Sequence, residues 1–171
     1  MTIAWLARRW YYTPKSRRAY SVRQVSPGDR RALAEFMMEI GAAGRETVEC
    51  SDLATMLFDH VIVNTPGAAA FAALENTADG DRVIGVCAYA PSGPDGADFA
   101  IAVANSHREE QVGRTLMSTL LRHAKRAGVR RLTGEMLWSN RPMQMLGTAM
   151  GFSLQSLLRD RNRRLLVLDI K

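Results

Sequence analysis

The chain has 171 residues, 47% of them apolar and 23% charged, which is the composition of one soluble globular domain. Its formal charge of +6 sits almost wholly in residues 1–19, where Arg8, Arg9, Lys15, Arg17 and Arg18 meet no acid. The near-neutral remainder argues against a dedicated nucleic-acid-binding domain, no apolar run reaches the roughly 20 residues that span a bilayer, and the isolated Cys50 and Cys87 exclude a disulfide framework or structural metal site, so a reducing cytoplasm is expected.

The first 19 residues read as a basic arm with Trp5, Trp10, Tyr11 and Tyr12. Such an arm packs on its own domain or on a second copy of the chain, and contact with nucleic acid is the weaker reading. Residues 20–171 form a single domain. Tyr20–Val25 alternates as a strand, and Ser26-Pro27-Gly28-Asp29 starts a helix whose Leu33, Phe36, Met37 and Ile40 recur at helical spacing up to Gly41. Ser51-Asp52 reads as a second N-cap, ahead of Leu53, Met56, Leu57 and His60. Ala68–Leu74 and Arg82–Ala90 are strands parted by the turn Thr77–Asp81. The turn-rich Pro91–Gly96 then folds Arg82–Ala90 back on Ala97–Ala104 as an antiparallel hairpin.

A loop from His107 to Gly113 opens the helix Val112–Ala127, which puts Leu116, Met117, Leu120, Leu121 and Ala124 on one face and ends at Gly128. Arg131–Leu137 is a strand, Asn140-Arg141-Pro142 starts another helix, and Ser153–Arg159 with Arg163–Ile170 closes the chain as a hairpin around Asp160-Arg161-Asn162. The sum is a mixed α/β (α+β) domain with a central, largely antiparallel sheet flanked by helices.

A strand feeding a loop that opens a helix sets a row of backbone N–H groups at a helix N-terminus, where the helix dipole favours an anionic phosphate. Two carboxylates, Glu109 and Glu110, stand in that loop. One such charge about 6 Å from a diphosphate costs about 0.7 kcal/mol at water-like dielectric, and several times that when partly buried. Exposed carboxylates can turn away, and the N–H row does not depend on side chains.

Three pieces together, Ile101-Ala102-Val103, Arg108-x-x-Gln111-x-Gly113, and Asn140 twelve residues before Phe152, resemble the GNAT superfamily of N-acetyltransferases over residues 20–170. Ala97–Ala100 and Gly134–Met143 are most similar to the catalytic domain of bacterial protein lysine acetyltransferases. The resemblance implies acetyl-CoA as cofactor and an amine, on a protein lysine or a small molecule, as acceptor. It implies that two neighbouring strands splay, so that backbone near Ile101 and Val103 pairs with pantetheine. The N–H groups of Glu109, Glu110, Gln111, Val112, Gly113 and Arg114 then cradle the diphosphate. Arg108 and Arg114 add charge-assisted bonds to it, and Asn140 contacts the cofactor near the thioester.

Direct transfer needs a base for the acceptor ammonium and an acid for the departing thiolate. Asp98 matches a strand glutamate of the protein-lysine group, and Glu135 matches the base of several amino-terminal acetyltransferases. Each has a plain alternative: Asp98 as a solvated residue after a turn, Glu135 as a strand-face charge paired with an arginine. Where many members carry an acidic tyrosine this chain has Gly147, and where the loop's first glycine stands it has Gln111. Cys87 reads as a buried small hydrophobe, His107 as a loop histidine, and His60 and His123 take no role. A catalytically degenerate, acyl-CoA-binding regulator is the alternative to turnover.

Overall fold

The computed structural model describes residues 9–12, 19–42, 48–108 and 111–171. Among the described residues eight strands form one sheet in the order β1-β2-β3-β4-β5-β6-β8-β7. They are β1 (Arg9–Tyr12), β2 (Ala19–Gln24), β3 (Ala69–Thr77), β4 (Gly80–Pro91), β5 (Gly96–Val103), β6 (Arg131–Leu137), β7 (Ser153–Leu157) and β8 (Asp160–Asp169). The helices are α1 (Arg30–Ala42), α2 (Val48–Thr55), α3 (Val112–Arg126) and α4 (Arg141–Ala149). Every strand pair is antiparallel except β5–β6. The mixed, largely antiparallel sheet expected from the sequence is present. Within the segment read as an arm, Arg9–Tyr12 extend the sheet by one strand on β2.

The sheet separates two apolar layers. On one side Leu33, Phe36, Ile40, Leu53 and Leu57 from α1, α2 and the turn after it cover Ala70, Ala72, Val86, Ala88 and Ala100. On the other, Val112, Leu116, Met117, Leu120 and Ala124 of α3 cover Phe71, Cys87, Tyr89, Phe99, Leu132, Met136 and Leu166. The all-apolar centre of β3 and β4 follows from this, since a strand covered on both faces loses the alternation of a half-exposed one.

Two boundaries differ from the sequence reading. Ser51-Asp52 does not cap α2. The helix already begins at Val48 and passes through both residues into a π-helical turn, Met56–Val61. The closing hairpin turns earlier than Asp160–Asn162, with Leu157 paired to Asp160 and only Leu158-Arg159 between the strands. The pairing of Ser153 with Val167 through Ser156 with Arg164 alone would centre the turn on Asp160; a register shift between Ser156 and Leu157 moves it to Leu158-Arg159.

Candidate active site

The decisive geometry lies between β5 and β6. The two strands run parallel and pair at only three rungs, Gly96–Arg131, Ala97–Leu132 and Asp98–Thr133, and then part. On its other side β5 stays paired with β4 as far as Val103. The Ala104 N–H donates to the Ile84 carbonyl at 2.9 Å, so the alternate residues Ala102 and Ala100 also turn their backbone groups to β4. The Phe99 N–H completes the Asp98–Thr133 rung, and beyond it the Phe99 carbonyl and the backbone groups of Ile101 and Val103 face the opening, where β6 offers no partner. A narrow open cleft occupies the gap, lined by Phe99, Ile101, Glu135, Asn140, Met143 and Leu166 among others. Gly134 keeps it open to the Phe99 ring: a Cβ there meets the ring carbons at 2.6 and 2.7 Å.

Beyond Val103 the chain makes one 3₁₀ turn, Asn105–His107, and reaches α3 through Gln111. The first intrahelical bond runs from the Thr115 N–H to the Gln111 carbonyl at 3.0 Å, so the N–H groups of Val112, Gly113 and Arg114 precede the helical ladder and point out of its end. Gln111 sits at φ 64°, ψ 2°, the left-handed region that favours glycine. Arg108 and Arg114 are exposed, while Val112 is buried against the sheet. Glu109 and Glu110 lie outside the described residues.

His107 is no plain loop histidine. It is buried, its Nε2 lies 3.4 Å from Oε2 of the buried Glu75, and its Nδ1 meets the Ser106 hydroxyl at 2.9 Å. That pair ties the loop leading to the α3 N-terminus onto β3. Nothing in the sequence spacing signals it, because Glu75 is 32 positions away and an acidic residue at a strand end normally faces water.

The two carboxylates named from the sequence have different surroundings. Asp98 is exposed at the last rung before the strands part, and its Oδ1 accepts a hydrogen bond from the Thr133 hydroxyl. Glu135 lines the cleft, but both of its oxygens accept from guanidinium groups, Oε1 from Arg159 and Oε2 from Arg163, the latter at 3.0 Å. Asn140 also lines the cleft while capping α4, with its Oδ1 accepting from the Met143 N–H at 3.2 Å.

Gly147 is packed shut, since a Cβ added there meets Leu166 side-chain carbons at 2.7 and 2.8 Å. The place of the family's tyrosine is filled by Leu166. Cys87 lies in the core, where burial pushes its thiol well above the ordinary range and its Sγ donates to the Leu116 carbonyl at 3.4 Å. His123, called roleless from sequence, accepts or shares a hydrogen bond with the Tyr89 hydroxyl at 3.0 Å. Burial lowers the histidine's pKa and raises the tyrosine's. Neither reaches the cleft lining.

One cluster escaped sequence reading altogether. Trp138, at the end of β6, has the guanidinium of Arg141 at 5.0 Å and that of Arg164 at 4.3 Å from its ring centre. The run Arg159 to Arg164 is plain in the sequence, but the β6–β8 pairing, continued by the Trp138 N–H to the Asn162 carbonyl at 2.7 Å, sets it beside the end of β6.

Among solved structures, the fold is similar to the GNAT domain of S. lividans PAT, with 17% identity, a TM-score of 0.72, and 95% of this chain and 97% of that one covered. It is similar to yncA from Salmonella typhimurium, solved with its cofactor acetyl-CoA (16% identity, TM-score 0.65, 89% and 94% covered). It is also similar to the ribosomal-protein-alanine N-acetyltransferase of Brucella melitensis (18% identity, TM-score 0.65, 87% and 99% covered). At such identities the likeness concerns the fold. No curated protein matches the chain. The model of the acetyltransferase (GNAT) family matches residues 33–152, a span from α1 through the splayed strands and the α3 N-terminus to Phe152, and the chain belongs to that family of acetyl-CoA-dependent N-acetyltransferases.

Proposed function

We propose that the chain transfers the acetyl group of acetyl-CoA directly to an amine, a protein lysine or a small molecule, with Asp98 as the base. The observation that carries this reading is the gap beyond the Asp98–Thr133 rung, bordered by unpaired β5 backbone and leading to the first turn of α3. Bound acetyl-CoA supplies an activated thioester carbonyl. The backbone of Ile101 and Val103 would hold its pantetheine amides, as a missing strand would be held. The N–H groups from Glu109 to Arg114 would take the diphosphate, Arg108 and Arg114 would add charge, and Asn140 would meet the thioester end. Asp98 removes the acceptor's ammonium proton, directly or through a water. Solvent protonates the leaving sulfur, because Gly147 leaves no hydroxyl there.

Calorimetric titration with acetyl-CoA, followed by CoA release over an amine panel, tests this. Asp98→Asn is expected to lower kcat about 100-fold while leaving the acetyl-CoA Kd within about twofold. Absence of acetyl-CoA binding at millimolar ligand overturns the reading. A larger kcat loss in Glu135→Gln than in Asp98→Asn exchanges the two roles. The left-handed Gln111 and the filled Gly147 position favour a second reading, a regulator that binds acyl-CoA without turnover. It predicts binding with no CoA release from any amine.

A further inference from the structure

We infer that Thr133 is the positioning residue of the base: its hydroxyl anchors one oxygen of Asp98 and leaves the other to take the acceptor's proton. The inference rests on the acetyl-transfer reading and concerns the same site. Asp98 and Thr133 are partners on the last rung before β5 and β6 part. Their chain neighbours Phe99 and Leu132 are buried in the layer under α3. Alternation along the strands therefore turns the Asp98 and Thr133 side chains to the other face, where Ala100 joins the layer under α1 and α2. There the Thr133 hydroxyl donates to Asp98 Oδ1, a bond that crosses the seam between the two strands. Asp98 Oδ2 accepts no hydrogen bond among the described residues.

An exposed aspartate samples several side-chain rotamers, and that freedom must be given up before its carboxylate can meet a substrate. Asp98 is exposed, and its strand neighbours on that face are Ala90, opposite it on β4, and Ala100, two positions along β5. Both end in a methyl group, so of these strand neighbours only Thr133 can hold the carboxylate by a directed bond. The donor is itself stiff, because threonine is branched at Cβ and Val167 stands opposite it on β8. The ordering is thus complete before the acceptor arrives. In the step itself an Oδ2 lone pair takes the ammonium proton, directly or through a water. The freed amine lone pair attacks the thioester carbonyl, and the C–S electron pair leaves on sulfur, which solvent protonates.

The test is a double-mutant cycle in the full chain, run with the amine of the panel that releases CoA fastest. Thr133→Val removes the donor and keeps the branched shape beside Val167. It is expected to lower kcat about tenfold with the acetyl-CoA Kd within about twofold, and Thr133→Ser to return kcat to within about threefold of the parent. In an Asp98→Asn background the same Thr133→Val change is expected to cost less than about twofold, because Thr133 acts through the carboxylate. An unchanged kcat in Thr133→Val, an equal loss in both backgrounds, or no recovery with serine overturns the inference. In crystals of Thr133→Val the Asp98 carboxylate is expected to occupy more than one rotamer; a single rotamer identical to the parent's overturns the inference without reference to turnover. The acetyl-transfer reading fails separately, when Asp98→Asn keeps the parent rate or no amine releases CoA, and the inference falls with it.

Discussion

Two single residues set how well this site is built, and both act through backbone or packing. Gln111 holds φ 64° at the mouth of α3. A left-handed non-glycine residue costs about 1–2 kcal/mol, whereas glycine adds about 0.5–1 kcal/mol of chain entropy to the unfolded state. Gln111→Gly is therefore expected to stabilise the protein by up to about 1 kcal/mol and to tighten acetyl-CoA binding; thermal melting and calorimetry report both. A lowered melting temperature shows instead that the glutamine side chain holds the loop. Gly147→Tyr, which restores the family's usual residue, is expected to lose about 1–3 kcal/mol from overpacking and to leave kcat no higher, as seen by urea unfolding and steady-state rates. The sequence disclosed that Gln111 and Gly147 were unusual. It did not disclose that Leu166 fills the tyrosine's place, since that contact joins α4 to a strand 19 positions later. Glu135 shows the same limit: its acidity was legible, but its two arginine partners became neighbours only once β8 had paired with β6.

Elements whose signals are local were the most legible. The Ser26–Asp29 start of α1, the β4–β5 hairpin and β6 all follow from caps, turn residues and alternation. Asp29 closes a capping box with Ser26 and is bridged by the Arg23 guanidinium at 2.6 and 2.8 Å. The Arg23 hydrogen bond, aided by those from Ser26, holds the Asp29 carboxyl down at about 2, against an ordinary value of 3.8. The folded pKa is the lower one, so its stabilisation is complete above about pH 4 and fades as pH falls toward 2. Asp29→Asn is expected to cost about 1–2 kcal/mol at pH 7, after allowance for partial exposure, with the gap to the parent narrowing below pH 4. Urea unfolding at pH 7 and pH 3 measures both. The start of α2 was misplaced because the helix runs straight through residues that look like a cap, and the closing turn because the register shift between Ser156 and Leu157 has no mark in the alternation of the strands.

Across the whole molecule, the two apolar layers are not equivalent. The layer under α1 and α2 draws every buried member from residues 25–104, on the β1–β5 side of the sheet. The layer under α3 alone reaches across, joining Phe99 and Leu116 to Leu132, Phe152 and Leu166. Sequence periodicity picked out the helical members of both layers, Leu33, Phe36, Ile40, Leu53 and Leu57 on one side and Leu116, Met117, Leu120 and Ala124 on the other, but not the strand residues they cover or which layer would bridge the sheet. Described residues contain no helix long and apolar enough to cross a membrane. The three-rung seam between β5 and β6 has a mechanical meaning. The β6–β8–β7 lobe meets the larger one at three rungs, under α3 and beside α2, and the free protein is expected to breathe along that seam. A pantetheine chain zipped to β5 would splint the two lobes. Hydrogen exchange at 99–103 and 134–137 is then expected to slow together on acetyl-CoA binding, with up to about 2.7 kcal/mol of added stability at 100-fold saturation. Protection confined to β5 alone means that the lobes already move as one piece.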